Sequence, residues 1–294
     1  MDFPRLLVFR AVARHLSFSR TADELNMSQP AVSKHVRLLE AELGVRLFQR
    51  LGNRVELTDA GRILLDYAQR VSVLTEEVHR VLGELQGLRR GYLRLGASTT
   101  PGLYLLPEVL ARFRKTYPGI ETTLAITNSV DVTRRVLAGE FDLGFSGAPT
   151  EAPGLQVRPF VEDEIVLVVP AGHALALQRA FAPDVLADET LIVREAGSAT
   201  RQITEAHLAR LGLVSRQVLE MTGCEAVKRA VSAGLGVAFV SQYAIQLELA
   251  HRLLHVPDIS ELRFARQLFV LARKDARPSA ATLAFIALLG KGRS

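Results

Sequence analysis

The apolar positions in the N-terminal part of the chain recur at helical spacing and predict three short helices. The first covers about residues 3–15, the second begins at Ser17 or Ser19, and the third runs from Ser28, a good N-cap, to Gly44. One face of the third helix is apolar, formed by Val32, Val36, Leu39 and Leu43. The pattern therefore predicts a small helical core against which the third helix packs along one side.

The opposite face of this third helix is small, polar and basic. It carries Pro30, Ser33, Lys34 and Arg37. Small side chains let a helix approach the major groove closely, where Lys and Arg can meet phosphates or guanine edges and Gln29 can bond bases. No acidic residue that would repel phosphate occurs between Leu25 and Leu39. On these residues alone, a solvated face of an ordinary core helix explains the pattern equally well.

A basic hairpin pattern follows the third helix. Strands are predicted at about 45–50 and 54–57, and the hairpin carries Arg46, Arg50 and Arg54. A basic hairpin beside a reading helix forms a wing that contacts the phosphate backbone or the minor groove, although a solvated hairpin has the same composition. The candidate DNA-binding residues are Ser19, Arg20, Ser28, Gln29, Pro30, Ser33, Lys34, Arg37, Arg50 and Arg54.

A long helix is predicted from its cap at Thr58 to about Arg89. Its apolar residues form two columns that recur every seven positions, which is the seam of a coiled coil. The columns are Leu64, Val71, Val78 and Leu85, and Tyr67, Leu74, Val81 and Leu88. Such a helix is roughly 48 Å long, and one narrow apolar stripe predicts pairing with the same helix of a second chain. Packing against the C-terminal part of its own chain is the alternative.

Residues 1–90 resemble the N-terminal region of the bacterial LysR-type transcriptional regulators. The resemblance is carried by FSRTADELNMSQPAVSKHVRLLEAELGVRLFQR and the following LTDAGRILL, and it runs without a gap through the predicted winged helix. It implies a winged helix-turn-helix that binds a two-fold symmetric site in double-stranded promoter DNA. It also implies a homo-oligomer, a tetramer built from two dimers, with RNA polymerase as a further partner.

From Gly91 the pattern changes to alternating strands and helices. Apolar runs such as IVLVVP, TLIVRE and VAFVS predict buried strands, and amphipathic stretches predict the helices that cover them. Repeated strand–helix units imply mostly parallel sheets. The predicted fold class is therefore multidomain α+β and α/β, with a winged helix-turn-helix, a long coiled-coil linking helix and a C-terminal α/β domain.

Small polar residues follow several of these strands, where the next helix begins. In open α/β sheets ligands sit beyond the carboxyl ends of the strands, and helix N-termini bring N–H donors and a partial positive charge. Four such ends facing one crevice would form a site for a small anion, unless each hydroxyl only caps its own helix. The candidate effector-binding residues are Ser98, Thr99, Thr100, Asn128, Ser129, Ser198, Thr200, Arg201 and Thr222.

This C-terminal region also resembles the effector domain of LysR-type regulators, which shares its fold with type 2 periplasmic binding proteins. The motifs are YLLP, FDLGFSG, VREAGSATR and AVSAGLGVAFVS. The resemblance implies two subdomains, crossed by the chain near 161–163 and 263–266, with a small-molecule effector in the cleft between them. It favours a carboxylate, a phosphate or a sulfur-metabolism anion as effector, and no other cofactor.

These patterns divide the chain into three parts and bound its class. The parts are a DNA-binding domain at 1–58, a dimerisation helix at 59–90 and an effector domain at 91–294, with subdomain I at about 91–161 and 266–294 and subdomain II at about 162–265. With 48% hydrophobic and 23% charged residues, the composition is that of a globular protein, and the net charge of +5 alone is weak evidence for a nucleic-acid partner.

Cysteine content and apolar runs narrow the class further. The single cysteine, Cys224, excludes an internal disulfide and a cysteine-based zinc site. Charges interrupt the N-terminal MDFPRLLVFRAV, and no uncharged apolar run approaches the ~20 residues of a membrane helix. We therefore expect a cytoplasmic protein with no membrane partner. Cys224 lies near a predicted helix N-terminus, which permits a redox-sensing role, although the chain offers no second cysteine as a partner.

Other classes of protein explain the sequence less completely. An α/β enzyme lacks support because the chain has no GxSxG, P-loop or HExxH motif and its histidines are scattered. A solute-binding protein leaves the winged helix unexplained. An architectural DNA-binding protein without an effector leaves the C-terminal domain unexplained. We therefore predict a DNA-binding regulator and no enzyme.

Overall fold

The computed structural model describes residues 2–51, 54–84, 90–149, 152–178 and 182–290. By their internal contacts, residues 1–82 and 83–294 form two compact units, each described here by itself. In the described part of the chain, no helix is both long and apolar enough to cross a membrane.

The first unit begins with three helices, which confirms the prediction from apolar spacing. They are α1 (Phe3–His15), α2 (Phe18–Leu25) and α3 (Gln29–Leu43). The hydroxyls of Ser17 and Ser28 cap α2 and α3 by accepting backbone N–H groups, and Gly44 ends α3 in the left-handed conformation, with a φ of 70°. The buried side chains on the apolar face of α3 are Val32, Val36 and Leu39. Leu43, at the end of the same face, is exposed.

A two-stranded antiparallel hairpin follows α3. Its strands are β1 (Phe48–Leu51) and β2 (Arg54–Leu57), and the central positions of the predicted turn, 52 and 53, lie outside the described residues. The first strand begins later than predicted, because the buried Glu40 carboxylate accepts the backbone N–H groups of Leu47 and Phe48 at 2.8 and 3.3 Å. Glu40 on α3 therefore fixes where the hairpin begins.

The long helix α4 (Asp59–Glu84) is capped at Thr58, whose hydroxyl accepts the N–H of Gly61 at 3.0 Å. One side of its first turns packs into the core of the first unit through Leu64, Ala68 and Val71. The rest of the predicted seam is more than half exposed within this chain, at Tyr67, Leu74 and Val78. The last seam positions, Val81, Leu85 and Leu88, lie outside the side chains that the structure describes.

The second unit opens with a parallel sheet and its covering helices. The chain runs through β3 (Gly91–Ser98), α5 (Leu106–Thr116), β4 (Ile120–Thr127), α6 (Ser129–Leu137) and β5 (Leu143–Ser146), and β3 lies parallel to both neighbours. Residues Pro101–Leu105 form a π-helical turn before α5, whereas the stretch PGLYLLPEVLARFRKTYP predicts a single helix through this segment. Pro107 has no N–H to donate to the carbonyl of Leu103, so the regular α-helical bond cannot form there.

A second sheet-and-helix layer follows. Its elements are β6 (Leu155–Pro170), β7 (Thr190–Arg194), α7 (Ala199–Arg210), β8 (Gln217–Met221), α8 (Cys224–Ser232), β9 (Val237–Ser241), α9 (Gln246–Ala250) and β10 (Leu254–His255). Strand β7 lies parallel to β8 and β9, whereas β9 and β10 pair antiparallel with β6. The buried core of this layer lies on both faces of β6 and β9.

Two long antiparallel strands connect the two layers, which we call subdomain I (the first layer) and subdomain II (the second). Strand β11 (Arg263–Arg273) pairs with β6 along nearly its whole length and sets Arg266 opposite Asp163. Both strands pass through the segments where the crossings were expected. Helix α10 (Ala280–Leu289) then returns to the first layer, where Phe285 packs against Phe113 and Phe145. These elements confirm the predicted fold class.

Candidate DNA-reading face and ligand cleft

The outer face of α3 is exposed and basic. Gln29, Pro30, Lys34 and Arg37 are exposed, and Ser33 is half-buried. Two local bonds order this face, since Gln29 Nε2 donates to Ser33 Oγ at 3.0 Å and Arg37 Nε donates to the Ser33 carbonyl at 3.4 Å. Lys34 forms no ion pair within the described residues, which leaves its charge available for a phosphate.

The other predicted DNA contacts surround this face or lie on the hairpin. Ser19, Arg20 and Arg54 are exposed. The Ser28 hydroxyl is engaged in capping α3, and the side chain of Arg50 lies outside the described residues. The geometry thus leaves a basic surface of α2, α3 and β2 open to a partner, and the DNA-binding role of each residue stays a prediction.

A small cleft lies between the two subdomains of the second unit. Three helix beginnings meet there: the turn at Pro101 that leads into α5, α6 at Ser129 and α7 at Ala199. The lining residues are Ser98, Thr99, Thr100, Asn128, Ser129, Gly147, Arg194, Ser198, Ala199, Thr200 and Arg266. None of these is acidic, so the cleft combines helix N-termini, hydroxyl groups and two cations.

Arg266 is buried against the cleft and pairs with Asp163 on the neighbouring strand. Its Nε and Nη2 atoms lie 2.7 and 2.6 Å from Asp163 Oδ2. Two of its other N–H groups donate to Thr200 Oγ1 at 2.9 Å and to Thr100 Oγ1 at 3.0 Å. Burial lowers the pKa of Arg266, and the Asp163 carboxylate opposes that shift. One guanidinium thus connects Thr100 of subdomain I with Thr200 of subdomain II.

Arg194, at the end of β7, forms the second cationic group of the lining. Its Nη2 atom donates to Thr99 Oγ1 at 3.0 Å, and the guanidinium bonds to Glu195 at 2.7 and 2.8 Å. Burial alone would raise the pKa of Glu195, but hydrogen bonds from Arg194 and from the backbone N–H of Gly223 lower it to about 2. Glu195 is therefore ionised at neutral pH and compensates the charge of Arg194.

Seven of the nine predicted effector-binding residues come together in this cleft. They are Ser98, Thr99, Thr100, Asn128, Ser129, Ser198 and Thr200. The other two lie elsewhere: the Arg201 guanidinium bonds to Glu205 and Glu220 at 2.8 and 2.6 Å, and Thr222 is exposed. Arg201 lies in the first turn of α7 beside acidic neighbours, and α8 starts at Cys224 after Gly223, which offers no side-chain cap. The fourth predicted strand end, at Thr222, does not line the cleft.

Sequence reasoning missed Arg194 and Arg266, the two charged groups of the cleft. Both lie inside predicted strands. There the alternation of side chains predicts the face of the sheet on which a residue lies, but not which residues it contacts. A signal was present, because VEDE just before the apolar run IVLVV places Asp163 in a strand with two covered faces. A buried carboxylate calls for a partner such as a cation, although the sequence does not say which residue supplies it.

A second polar cluster, in which only Lys228 is buried, joins the subdomains through Tyr104. Its hydroxyl bonds to Glu225, while Lys228 Nζ lies 2.8 Å from both Glu225 and Glu248. The neighbouring Cys224 is buried, and burial raises the pKa of its thiol, which disfavours the reactive thiolate. Among the described residues, no group of three or more His, Cys, Asp or Glu side chains is placed to hold a metal ion.

The fold and these two surfaces define a winged helix-turn-helix regulator with a ligand-binding α/β domain. The family model of the bacterial regulatory helix-turn-helix protein, lysR family, matches residues 3–62, and that of the LysR substrate binding domain matches residues 86–293. The chain therefore belongs to the LysR family of transcriptional regulators.

Known relatives place the chain within this family. The RuBisCO operon transcriptional regulator of Allochromatium vinosum is 39% identical over 281 residues, which cover 96% of this chain and 93% of the relative. The regulatory domain of Synechocystis PCC6803 CcmR, solved in complex with 2-PG, is 31% identical with a TM-score of 0.65, over 70% of this chain and 99% of that one. Full-length CbnR with its target DNA shares the fold at 22% identity, with a TM-score of 0.69 and 99% of each chain covered.

Replacing Arg266 by Ala should destabilise the second unit by about 3–5 kcal/mol, because Asp163 would remain buried without a cationic partner and keep only its hydrogen bond from Ser241. Urea unfolding of the full chain, followed by circular dichroism, measures the loss. Arg216→Ala is the control, since it breaks an exposed ion pair with Asp188 at 2.7 Å and should cost less than about 1 kcal/mol. Equal losses of unfolding free energy in the two variants would contradict a stabilising role for the Arg266–Asp163 pair.

Proposed function

We propose that this LysR-type regulator binds promoter DNA through α3 and the β1–β2 hairpin, and that a small anion in the cleft changes this binding. The observation that carries the proposal is the convergence of three helix N-termini and two guanidinium groups on one cleft whose lining has no acid. An anion there would meet hydrogen-bond donors and a partial positive charge. The ligand acts by differential affinity for two arrangements of the subdomains.

The DNA-binding mode follows from the exposed face of α3. The helix enters the major groove, where Arg37 and Ser33 contact base edges, and Lys34 contacts phosphate. The hairpin lies along the backbone, with Arg54 toward phosphate. Since each phosphate contact releases counterions, affinity should fall steeply as salt is raised.

Two copies of the chain pair through the exposed stripe of α4. Tyr67, Leu74 and Val78 present an apolar row at coiled-coil spacing that has no cover within the described residues of this chain. The paired winged helices would read two half-sites about one helical turn apart in a two-fold symmetric promoter site. Assembly of two such dimers into a tetramer, and contact with RNA polymerase, complete the proposal by analogy with the family.

The relatives suggest which DNA and which ligand to try first. Because one relative is a RuBisCO operon regulator and a related regulatory domain was solved with 2-PG, we propose a RuBisCO operon promoter as target and 2-PG as the first anion. An architectural DNA-binding protein without an effector is the competing function. It predicts DNA binding that no small anion alters.

Arg37→Ala and Ser33→Ala should weaken binding to the specific promoter more than binding to random DNA, because a good base contact is worth about 1–3 kcal/mol of discrimination. Gel-shift titrations against both DNAs measure the two affinities. Lys34→Ala is the comparison variant, since loss of a phosphate contact should weaken binding to both DNAs alike. An equal loss on both DNAs for Arg37→Ala and Ser33→Ala would refute base reading by α3.

Thr100→Val should abolish the effect of the anion on promoter binding while leaving promoter binding without the anion intact. The change removes one hydroxyl from the cleft and preserves the shape of the side chain. Thr222→Val makes the same change at an exposed position outside the cleft and should leave the response as in the wild type. Loss of both DNA binding and response in Thr100→Val would indicate a structural role instead.

Leu74→Lys should convert the oligomer into smaller species, because a charge in the apolar stripe opposes helix pairing. Light scattering on the full chain at micromolar concentration measures the mass. Asp66→Lys introduces the same side chain at an exposed position of α4 outside the seam and should leave the mass unchanged. A wild-type protein that is monomeric at this concentration would contradict the pairing.

A further inference from the structure

The hydroxyl groups of the cleft accept hydrogen bonds from the protein's own cations. Arg266 donates to Thr100 Oγ1 and Thr200 Oγ1, at 3.0 and 2.9 Å, and Arg194 donates to Thr99 Oγ1 at 3.0 Å. A guanidinium has donors and no acceptor, so the three threonine hydroxyls cannot donate their own hydrogens to it. Each threonine therefore keeps its own O–H for another partner.

Other polar side chains of the cleft also act as hydrogen-bond acceptors, in these cases from backbone N–H groups. Asn128 Oδ1 accepts the backbone N–H of Asp131 at 2.8 Å, and Ser198 Oγ accepts that of Arg201 at 3.5 Å. The Ser129 hydroxyl accepts the N–H of Gly147 at 3.4 Å. Because Oδ1 of Asn128 is the acceptor, its Nδ2 group is left as a donor. The caps thus add further donors to the cleft.

These donors have no protein acceptor within the part of the chain that the structure describes. The carboxylates nearest the lining are already engaged, Asp163 by Arg266 and Ser241, and Glu195 by Arg194 and Gly223. A donor group on a ligand would thus meet neither of these carboxylates, and the three threonine oxygens could offer it only the lone pair that is left beside the bond each accepts from a guanidinium. An oxygen acceptor on a ligand would meet donors from both subdomains.

We propose that the cleft selects an acceptor-only anion, that is, a ligand whose cleft-bound group carries oxygen acceptors and no N–H or O–H donor. Sulfate, a fully ionised phosphate ester and a carboxylate belong to this class, whereas an amine or a protonated phosphate does not. The inference rests on the proposed function of the cleft as the ligand site and adds its chemical selectivity. A buried donor left unpaired is costly, and sites built in this way discriminate strongly.

Sulfate and inorganic phosphate test the selectivity on the full-length protein. At mildly alkaline pH both are mostly dianions, but phosphate retains one O–H and sulfate has none, so charge is matched and only the donor differs. Calorimetric titration, which needs no tryptophan and so suits a chain with none, should show sulfate binding about tenfold or more tighter than phosphate. Equal affinities, or tighter binding of phosphate, would overturn the proposal.

Asn128→Asp supplies the missing acceptor and should reverse the preference. Aspartate keeps the oxygen that caps α6 but replaces the Nδ2 donor by a second oxygen, so phosphate should now bind at least as well as sulfate. Asn26→Asp is the matched control, because it adds the same charge in the DNA-binding unit and should keep the wild-type ratio. A variant that folds, by circular dichroism, and keeps the wild-type ratio would overturn the proposal.

The outcomes separate this inference from the proposed function. If wild-type protein binds both anions equally and Thr100→Val abolishes that binding, the cleft is the ligand site and the selectivity is wrong. If neither anion binds and no anion alters promoter binding, both the selectivity and the ligand cleft are overturned. Should Asn128→Asp fail to fold, the sulfate-to-phosphate ratio of the wild type decides alone.

Discussion

A buried ion pair between Arg266 and Asp163 is the constraint on which the second unit depends. Neither charge could be buried alone, so the two must meet where β6 and β11 run side by side. The guanidinium is a rigid fork, and fixing two of its N–H groups on Asp163 fixes the direction of the others. Those groups reach Thr100 and Thr200, and the helix beginnings of both subdomains are thereby held at one cleft.

In the DNA-binding unit, the buried side chain of Glu40 likewise positions a neighbouring element. The Glu40 carboxylate lies on the core side of α3 and accepts the backbone N–H groups of Leu47 and Phe48, from which the hairpin starts. The reading helix and the wing are therefore joined by hydrogen bonds as well as by apolar packing. In both units a buried polar side chain positions a neighbouring element through hydrogen bonds, the hairpin in the first unit and the helix beginnings at the cleft in the second.

The sequence carried most of the fold, because helices and strands follow from local periodicity and from caps such as Ser28 and Gly44. It also located most of the cleft, since strand ends in α/β folds meet on one edge. The features that the sequence did not predict depend mainly on contacts between residues that are far apart in the chain. Arg194 and Arg266 depend on which strands pair. Arg201 is held by Glu205, four residues further along α7, and by Glu220 on β8, and only the first of these pairs follows from local helical spacing. The late start of β1 depends on a side chain of α3.

Hydrogen exchange on the full-length protein tests the central claim, that one cleft binds the anion, most directly. With 2-PG or another anion that alters promoter binding, the account predicts slower amide exchange at the three helix beginnings, residues 98–102, 128–131 and 198–201. It predicts no change at 222–224, which lie outside the cleft. Protection confined to other segments, or no protection by an anion that changes DNA binding, would contradict the account.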